Sequence, residues 1–185
     1  MRKSIGVKPC IYPMPVLIIG SYDEEGNADA MNAAWGGITG GREITLCLSS
    51  GHKTVKNILK TKAFTVSFAD KDHMTACDYV GIESGNNVPD KMKKAGFTTT
   101  KSERVNAPVI NELPLCLECM MKDYDETTEH MTGIIVDVNA DERVLTNGQV
   151  DIQKVAPITF DGFNSAYHVI GEKVGNAFSD GGKLK

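Results

Sequence analysis

Pro15-Val16-Leu17-Ile18-Ile19-Gly20-Ser21-Tyr22, followed by Asp23-Glu24-Glu25-Gly26-Asn27 and then Ala30-Met31-Asn32-Ala33-Ala34-Trp35, is the stretch on which the fold turns. Pro15 to Ile19 is the longest apolar run in the chain, and it is the length of a strand. The acidic, Gly- and Asn-containing segment after it is turn chemistry. A return strand then leads into Trp35, so the stretch reads as a hairpin. Working outward, Glu43 to Leu48 and Ala63 to Phe68 read as strands, the second with Phe64, Val66 and Phe68 alternating. Between them, Lys53 to Lys60 carries Val55, Ile58 and Leu59 at helical spacing.

Asp70 or Asp72 is expected to cap a helix running to about Val80. A short helix is expected from Pro89 to Ala95, stopped by Gly96. Further strands are expected near Leu115 to Lys122, His130 to Asn139, Ile158 and Tyr167 to Ile170, with a frayed tail around Ser179 to Gly182. Strands dominate, helices are inserted between them, and regular βαβ alternation is absent. The pattern predicts one mainly β domain over residues 1–185, a closed or partly closed antiparallel barrel.

Composition narrows the function classes. Hydrophobic residues make up 41% and charged residues 24% of the 185, an ordinary globular balance. The net charge of −4 and the scattered lysines argue against nucleic acid as a partner. No apolar run approaches the roughly 18 residues that span a bilayer, and Met1-Arg2-Lys3-Ser4 is not followed by an apolar core, so a cytoplasmic location is expected. The five cysteines (Cys10, Cys47, Cys77, Cys116, Cys119) are scattered and odd in number, as reduced thiols would be. Cys116 and Cys119 invite a redox or zinc reading, but they lie three apart on an apparent strand and face opposite ways. No second ligand pair and no histidine spacing supports a metal. Neither a Gly-x-Gly-x-x-Gly strand–helix turn nor a Gly-x-Ser-x-Gly elbow is present.

Three segments could carry chemistry. In Ser49-Ser50-Gly51-His52-Lys53-Thr54-Val55-Lys56-Asn57, a strand ends in a small-residue turn and a helix begins. Free amides and the positive helix end would then converge on one point, as a phosphate monoester requires. Alternatively, Ser50 or Thr54 caps the helix and the lysines are solvated. Asn32-Ala33-Ala34-Trp35-Gly36-Gly37 permits close backbone approach to a planar ring, although a lone Trp beside glycines also suits a core or interface anchor. Asp78 to Asn87, followed by Asp90-Lys91, is a loop of the kind that closes over ligands, or a plain surface loop.

In this order, the segments resemble the flavoredoxin branch of the flavin reductase-like family. The matching pieces include Tyr12-Pro13-Met14-Pro15-Val16, Met31 to Gly37, Ser49/Ser50 with Lys53-Thr54 and Asn57-Ile58, and Asp78-Tyr79-Val80-Gly81 with Ser84-Gly85 and Asp90-Lys91. Ala107-Pro108-Val109, Leu117-Glu118-Cys119, His130 before Gly133, and Gly171-Glu172-Lys173-Val174-Gly175 with Ala177-Phe178 continue the series. The resemblance implies a Greek-key split β-barrel, a homodimer, and noncovalent FMN at or near the subunit interface. It implies that Ser49, Ser50, Lys53 and Thr54 receive the phosphate with Asn57 in support, and that Asn32, Ala33 and Ala34 face the isoalloxazine while Trp35 walls the pocket. Ser84, Gly85 and Lys91 would close over the flavin, and His130 with Phe160 or Phe163 would complete the site.

The implied activity is an FMN-dependent oxidoreductase, a flavin reductase or an electron-transfer flavoprotein, fed by NAD(P)H or by a redox protein. The alternatives are a non-catalytic module sensing flavin or haem, and a pyridoxine-phosphate oxidase, whose substrate loop has no counterpart here. Two positions depart from the family, which often has Asn at Asp29 and Thr at Asn32. A carboxylate at Asp29 is expected to disfavour the reduced flavin.

Overall fold

The computed structural model describes residues 1–185, and the hairpin forms where the turn chemistry places it. Strand β1 (Leu17–Tyr22) pairs antiparallel with β2 (Ala28–Ala33), from Leu17 opposite Ala33 to Tyr22 opposite Ala28. The Asp23 carboxylate accepts from the amides of Glu25 and Asn27, and Gly26 takes the positive φ of +84° that the tight turn needs.

The continuous apolar run is explained by burial on both faces of β1. Leu17 and Ile19 join a core with Phe64, Val66, Leu46 and Met131, while Val16 and Ile18 join a second core with Val80, Met92, Phe97 and Ile110.

After β2 the chain bends at Ala34 and Trp35 into β3 (Gly36–Ile38), then β4 (Glu43–Cys47), helix α1 (Lys53–Thr61) and β5 (Ala63–Phe68). Helices α2 (Met74–Ile82) and α3 (Lys91–Lys94) follow, then the short strands β6 (Thr99–Lys101) and β7 (Pro108–Ile110). The long hairpin of β8 (Leu115–Asp125) and β9 (His130–Ala140) comes next. Short strands β10 (Leu145–Thr146) and β11 (Gln149–Val150), helix α4 (Ile152–Val155), and the pair β12 (Ile158–Asp161) and β13 (Ala166–Val169) complete the chain.

The main sheet is seven-stranded and antiparallel throughout, in the order β2-β1-β5-β8-β9-β4-β3. Its two edge strands, β2 and β3, are joined by Ala34 and Trp35 alone. Three peptide steps reach at most about 11 Å, whereas the edges of a flat seven-stranded sheet would lie about 29 Å apart. The sheet must therefore curl until its edges meet. This is the split-barrel arrangement expected from the sequence.

Helix α1 plugs one end of the curl with Val55 and Ile58, both fully buried against β1 and β2. On the other face of β1 and β2, α2, α3 and the β12–β13 hairpin build the second core.

Two details differ from the sequence expectation. The residue preceding α2 is His73, with the Asp70 carboxylate accepting from its amide at 2.8 Å, so Asp70 braces the helix start from three residues back. The tail forms a short 3-10 turn at Asp180–Leu184.

Cys116 and Cys119 face opposite sides of β8. Cys119 lies in the barrel core with Leu117, and Cys116 lies outside that cluster. Burial pushes Cys77 and Cys119 up to about 12 and Cys116 to about 11, which leaves almost no nucleophilic thiolate at neutral pH. All five cysteines are free thiols. Alkylation at pH 8 is expected to label Cys10 and Cys47, which are partly exposed, and to reach the other three only after denaturation. Mass spectrometry of the native and urea-unfolded protein reads this directly. Fast native labelling of Cys119 would contradict the packing. No helix is long and apolar enough to cross a membrane, and no cluster of three or more His, Cys, Asp or Glu residues is arranged to hold a metal.

Candidate functional site

The site is a groove between β2, the start of α1 and the segment that follows α2. One part, about 150 Å³, is bounded by Asp29 and Asn32 of β2, by His52, Lys53 and Thr54, and by Gly81 to Gly85 with Lys91. An adjoining part, about 330 Å³, is bounded by Val16, Ala34, Asp78, Phe160 and Tyr167. Asn32, Gly81 and Ile82 line both, so the two parts are neighbours with a shared wall, the first mostly polar and the second mixed, with Val16, Ala34, Ile82 and Phe160 beside Asp78 and Tyr167.

Glycine makes this geometry possible at two positions. A Cβ on Gly81 would sit 2.7 Å from Asn32 Cβ, and one on Gly85 would sit 2.9 Å from Asp29 Cγ. The roof segment can lie on β2 only because both positions lack side chains. Asn86 ties the roof to the turn before α1 by donating to the Gly51 carbonyl at 3.1 Å, and Asn32 donates to the Cys77 carbonyl of α2 at 3.2 Å.

At the polar end no side chain caps α1, and the amides of Lys53, Thr54 and Val55 donate to no backbone carbonyl. Free first-turn amides with the helix dipole behind them attract an anion. Ser84 and His52 line the same end.

The structure allots several predicted residues to other tasks. The Thr54 hydroxyl donates to Asp29 Oδ2 at 2.6 Å, so Thr54 is no helix cap and its hydroxyl proton is committed to Asp29. Asn57, 6% exposed, donates to the Ser21 hydroxyl on β1 at 3.2 Å instead of bracing the turn. Lys53 sits 3.5 Å from Asp23 on the β1–β2 turn. Ser49 and Ser50 remain in the turn, half-buried and exposed respectively.

Asp29, expected as an added negative charge near the flavin, is paired with a lysine in the structure. Its Oδ1 lies 3.2 Å from Lys91 Nζ, with both side chains under 5% exposed. The same ammonium reaches the carbonyls of Glu83 at 3.2 Å and Val80 at 3.5 Å. Asp29 and Lys91 together form a neutral strut that fixes the roof to β2, so neither presents a net charge to the groove.

Asn32 and Ala34 line the groove, whereas Ala33 faces the barrel core. Trp35, 57% exposed, lies outside both parts of the groove. Its carbonyl accepts from the Cys47 amide, and Cys47 pairs with His130, which places Trp35 and the exposed His130 together at one rim of the sheet. Phe160 lines the apolar end, while Phe163 is 43% exposed and stacks on Tyr12 at 6.0 Å.

Sequence analysis placed Asp78 in a segment that closes over ligands, but it named neither Asp78 nor Tyr167 as a site residue. Their contact joins α2 to β13, and neither residue type nor local spacing announces it.

Comparison with known proteins agrees with this architecture. The flavoredoxin of Desulfovibrio vulgaris (Miyazaki F) superposes with a TM-score of 0.93 and 35% identity, over 98% of this chain and 100% of that one. Flavoredoxin from Methanosarcina acetivorans superposes at 0.88 with 26% identity, covering 100% of both chains. An FMN-binding domain of a flavin reductases-like enzyme from Shewanella baltica OS155 shares the fold at 0.79 with 16% identity, over 88% of each chain. Among curated proteins nothing matches the sequence significantly. Residues 10–157 match the family described as flavin reductase like domain, and the chain belongs to that family.

Proposed function

We propose that the protein holds FMN noncovalently in this groove and acts as an FMN-dependent oxidoreductase of the flavin reductase or flavoredoxin type. The observation that carries this reading is a pair of adjoining hollows of different character that share Asn32, Gly81 and Ile82. An uncapped helix start offers free amides to a phosphate at one end, and Val16, Ala34, Ile82 and Phe160 offer apolar surface to a fused ring at the other. The amides of Lys53, Thr54 and Val55 would bind the phosphate, with Ser84 beside them, and Asn32 would orient the middle of the ligand. Bound FMN supplies the hydride and single-electron chemistry. The protein contributes position, polarity and exclusion of water.

A second copy of the chain completes this reading as a homodimer. Trp35, Ile38, Met120, Val136 and Val138 are 40% to 65% exposed on the sheet, apolar surface of a kind that subunit contacts cover. The donor is NADH, NADPH or a reduced protein.

An anaerobic visible spectrum before and after adding NADH or NADPH tests the function. A yellow protein that bleaches is a reductase using that donor. One that stays oxidised until dithionite is added is a carrier fed by a protein partner. A flavin that no reductant reaches would indicate a sensing or storage module, and a colourless protein that takes up no FMN would refute the proposal.

A further inference from the structure

We propose that Asp78, held by Tyr167 at the apolar end of the groove, sets the electron affinity of the bound flavin by placing one uncompensated negative charge beside its ring. The inference rests on the reading that FMN occupies the groove. With the phosphate at the α1 start, the ring lies at the end bounded by Asp78, Phe160 and Tyr167.

Three acidic residues line the two parts of the groove, Asp29, Glu83 and Asp78, and Asp78 alone borders the part that holds Phe160 and Tyr167. Asp29 is neutralised by Lys91 at 3.2 Å, whereas Asp78 takes part in none of the ten ion pairs of the chain. Its partner is the Tyr167 hydroxyl, which donates at 2.7 Å. A phenol orients a carboxylate without cancelling its charge. Burial, and then the neighbouring Asp78, push the Tyr167 phenol up to about 12, so it stays a donor across the physiological range.

The pair is built to stay in place. Tyr167 stands opposite Phe160 in the β12–β13 ladder, with ring centroids 5.9 Å apart, and α2 carries Asp78. Asp78 is half-buried beside Val16 and Phe160, so its charge is less screened than one in open water. A purely mechanical tie between α2 and β13 would be served equally well by Asn, which also accepts from a phenol. Only the electrostatic role requires the carboxylate.

The midpoint potential of bound FMN, measured by anaerobic dye-coupled titration in the wild type, Asp78→Asn and Tyr167→Phe, tests the proposal. Removing the charge is expected to favour reduced over oxidised flavin by about tenfold in binding, an upward shift of about 30 mV for a two-electron couple. Tyr167→Phe keeps the charge and removes only its partner, so the potential is expected to stay or fall. An unchanged potential in Asp78→Asn, or an upward shift in both variants, overturns the proposal. If Asp78→Asn fails to fold, Tyr167→Phe decides alone, with an upward shift counting against. The apoprotein supplies an independent reading, because Asp78→Asn is expected to move the ionisation of Tyr167 to lower pH in an ultraviolet titration. An unmoved Tyr167 would mean that Asp78 exerts no field there. A wild type that binds no FMN overturns the functional reading itself, whereas a loaded wild type with an unmoved Asp78→Asn potential overturns this inference alone.

Discussion

Lys91→Met is expected to lower stability by about 3 to 5 kcal/mol, among the largest losses from any single change outside the barrel core. The ammonium removed holds Asp29 at 3.2 Å and the carbonyl of Glu83 at 3.2 Å. What remains is a carboxylate about 4% exposed with one hydroxyl partner, Thr54. Asp29→Asn should cost a similar amount, because it strands the ammonium instead. The double variant Asp29→Asn/Lys91→Met removes both charges and should recover most of the loss, since a buried pair is worth little against neutral groups of the same size. Urea unfolding of the four proteins closes the cycle. A loss below about 1 kcal/mol for Lys91→Met would mean that water reaches the strut. The result also bears on the flavin, because Asp29→Asn disturbs the roof and so cannot report cleanly on the charge at that position.

The second large effect lies in the barrel core. Gly133 stands on β9 opposite Ile44 of β4 and Met121 of β8. A Cβ there would collide with the Phe64 ring, reaching 2.9 Å from Cε1, and Phe64 is fully buried. Gly133→Val is therefore expected to cost at least about 1 to 3 kcal/mol through overpacking, and Phe64→Ala about 3 to 5 kcal/mol through the cavity it leaves. Combined, the two changes should cost clearly less than their sum, because the new side chain occupies part of the space the ring vacates. Thermal unfolding measures this, and strict additivity would show that the two positions do not share space.

Much of the fold was legible because it is local. The β1–β2 hairpin, the α1 spacing of Val55 and Ile58, and the alternation of Phe64 and Val66 each follow from neighbours within a few residues. The three-residue strand β3 was not legible, because Gly36 and Gly37 carry no strand signal and only the pairing to β4 holds them extended. The groove was legible as a set of segments and not as an allotment of side chains. Thr54 and Asn57 are residue types that read as caps and phosphate ligands, yet long-range packing gives them to Asp29 and Ser21. The same holds for charge. Asp29 read as an added negative charge, and only the tertiary fold brings Lys91 to cancel it and leaves Asp78 uncancelled.

The two-residue join between the edge strands has a consequence for synthesis on the ribosome. β2 and β3 emerge within seconds of each other, but the sheet between them cannot close at that stage. β5 waits for β8 and β4 waits for β9, and that hairpin ends only at Ala140. Until then the nascent chain carries two half-sheets, β2-β1-β5 and β3-β4, each with an unpaired edge. Such open edges recruit other strands. The arrival of one late hairpin therefore covers the β5 and β4 edges together, and a chain that stalls before Ala140 keeps both open.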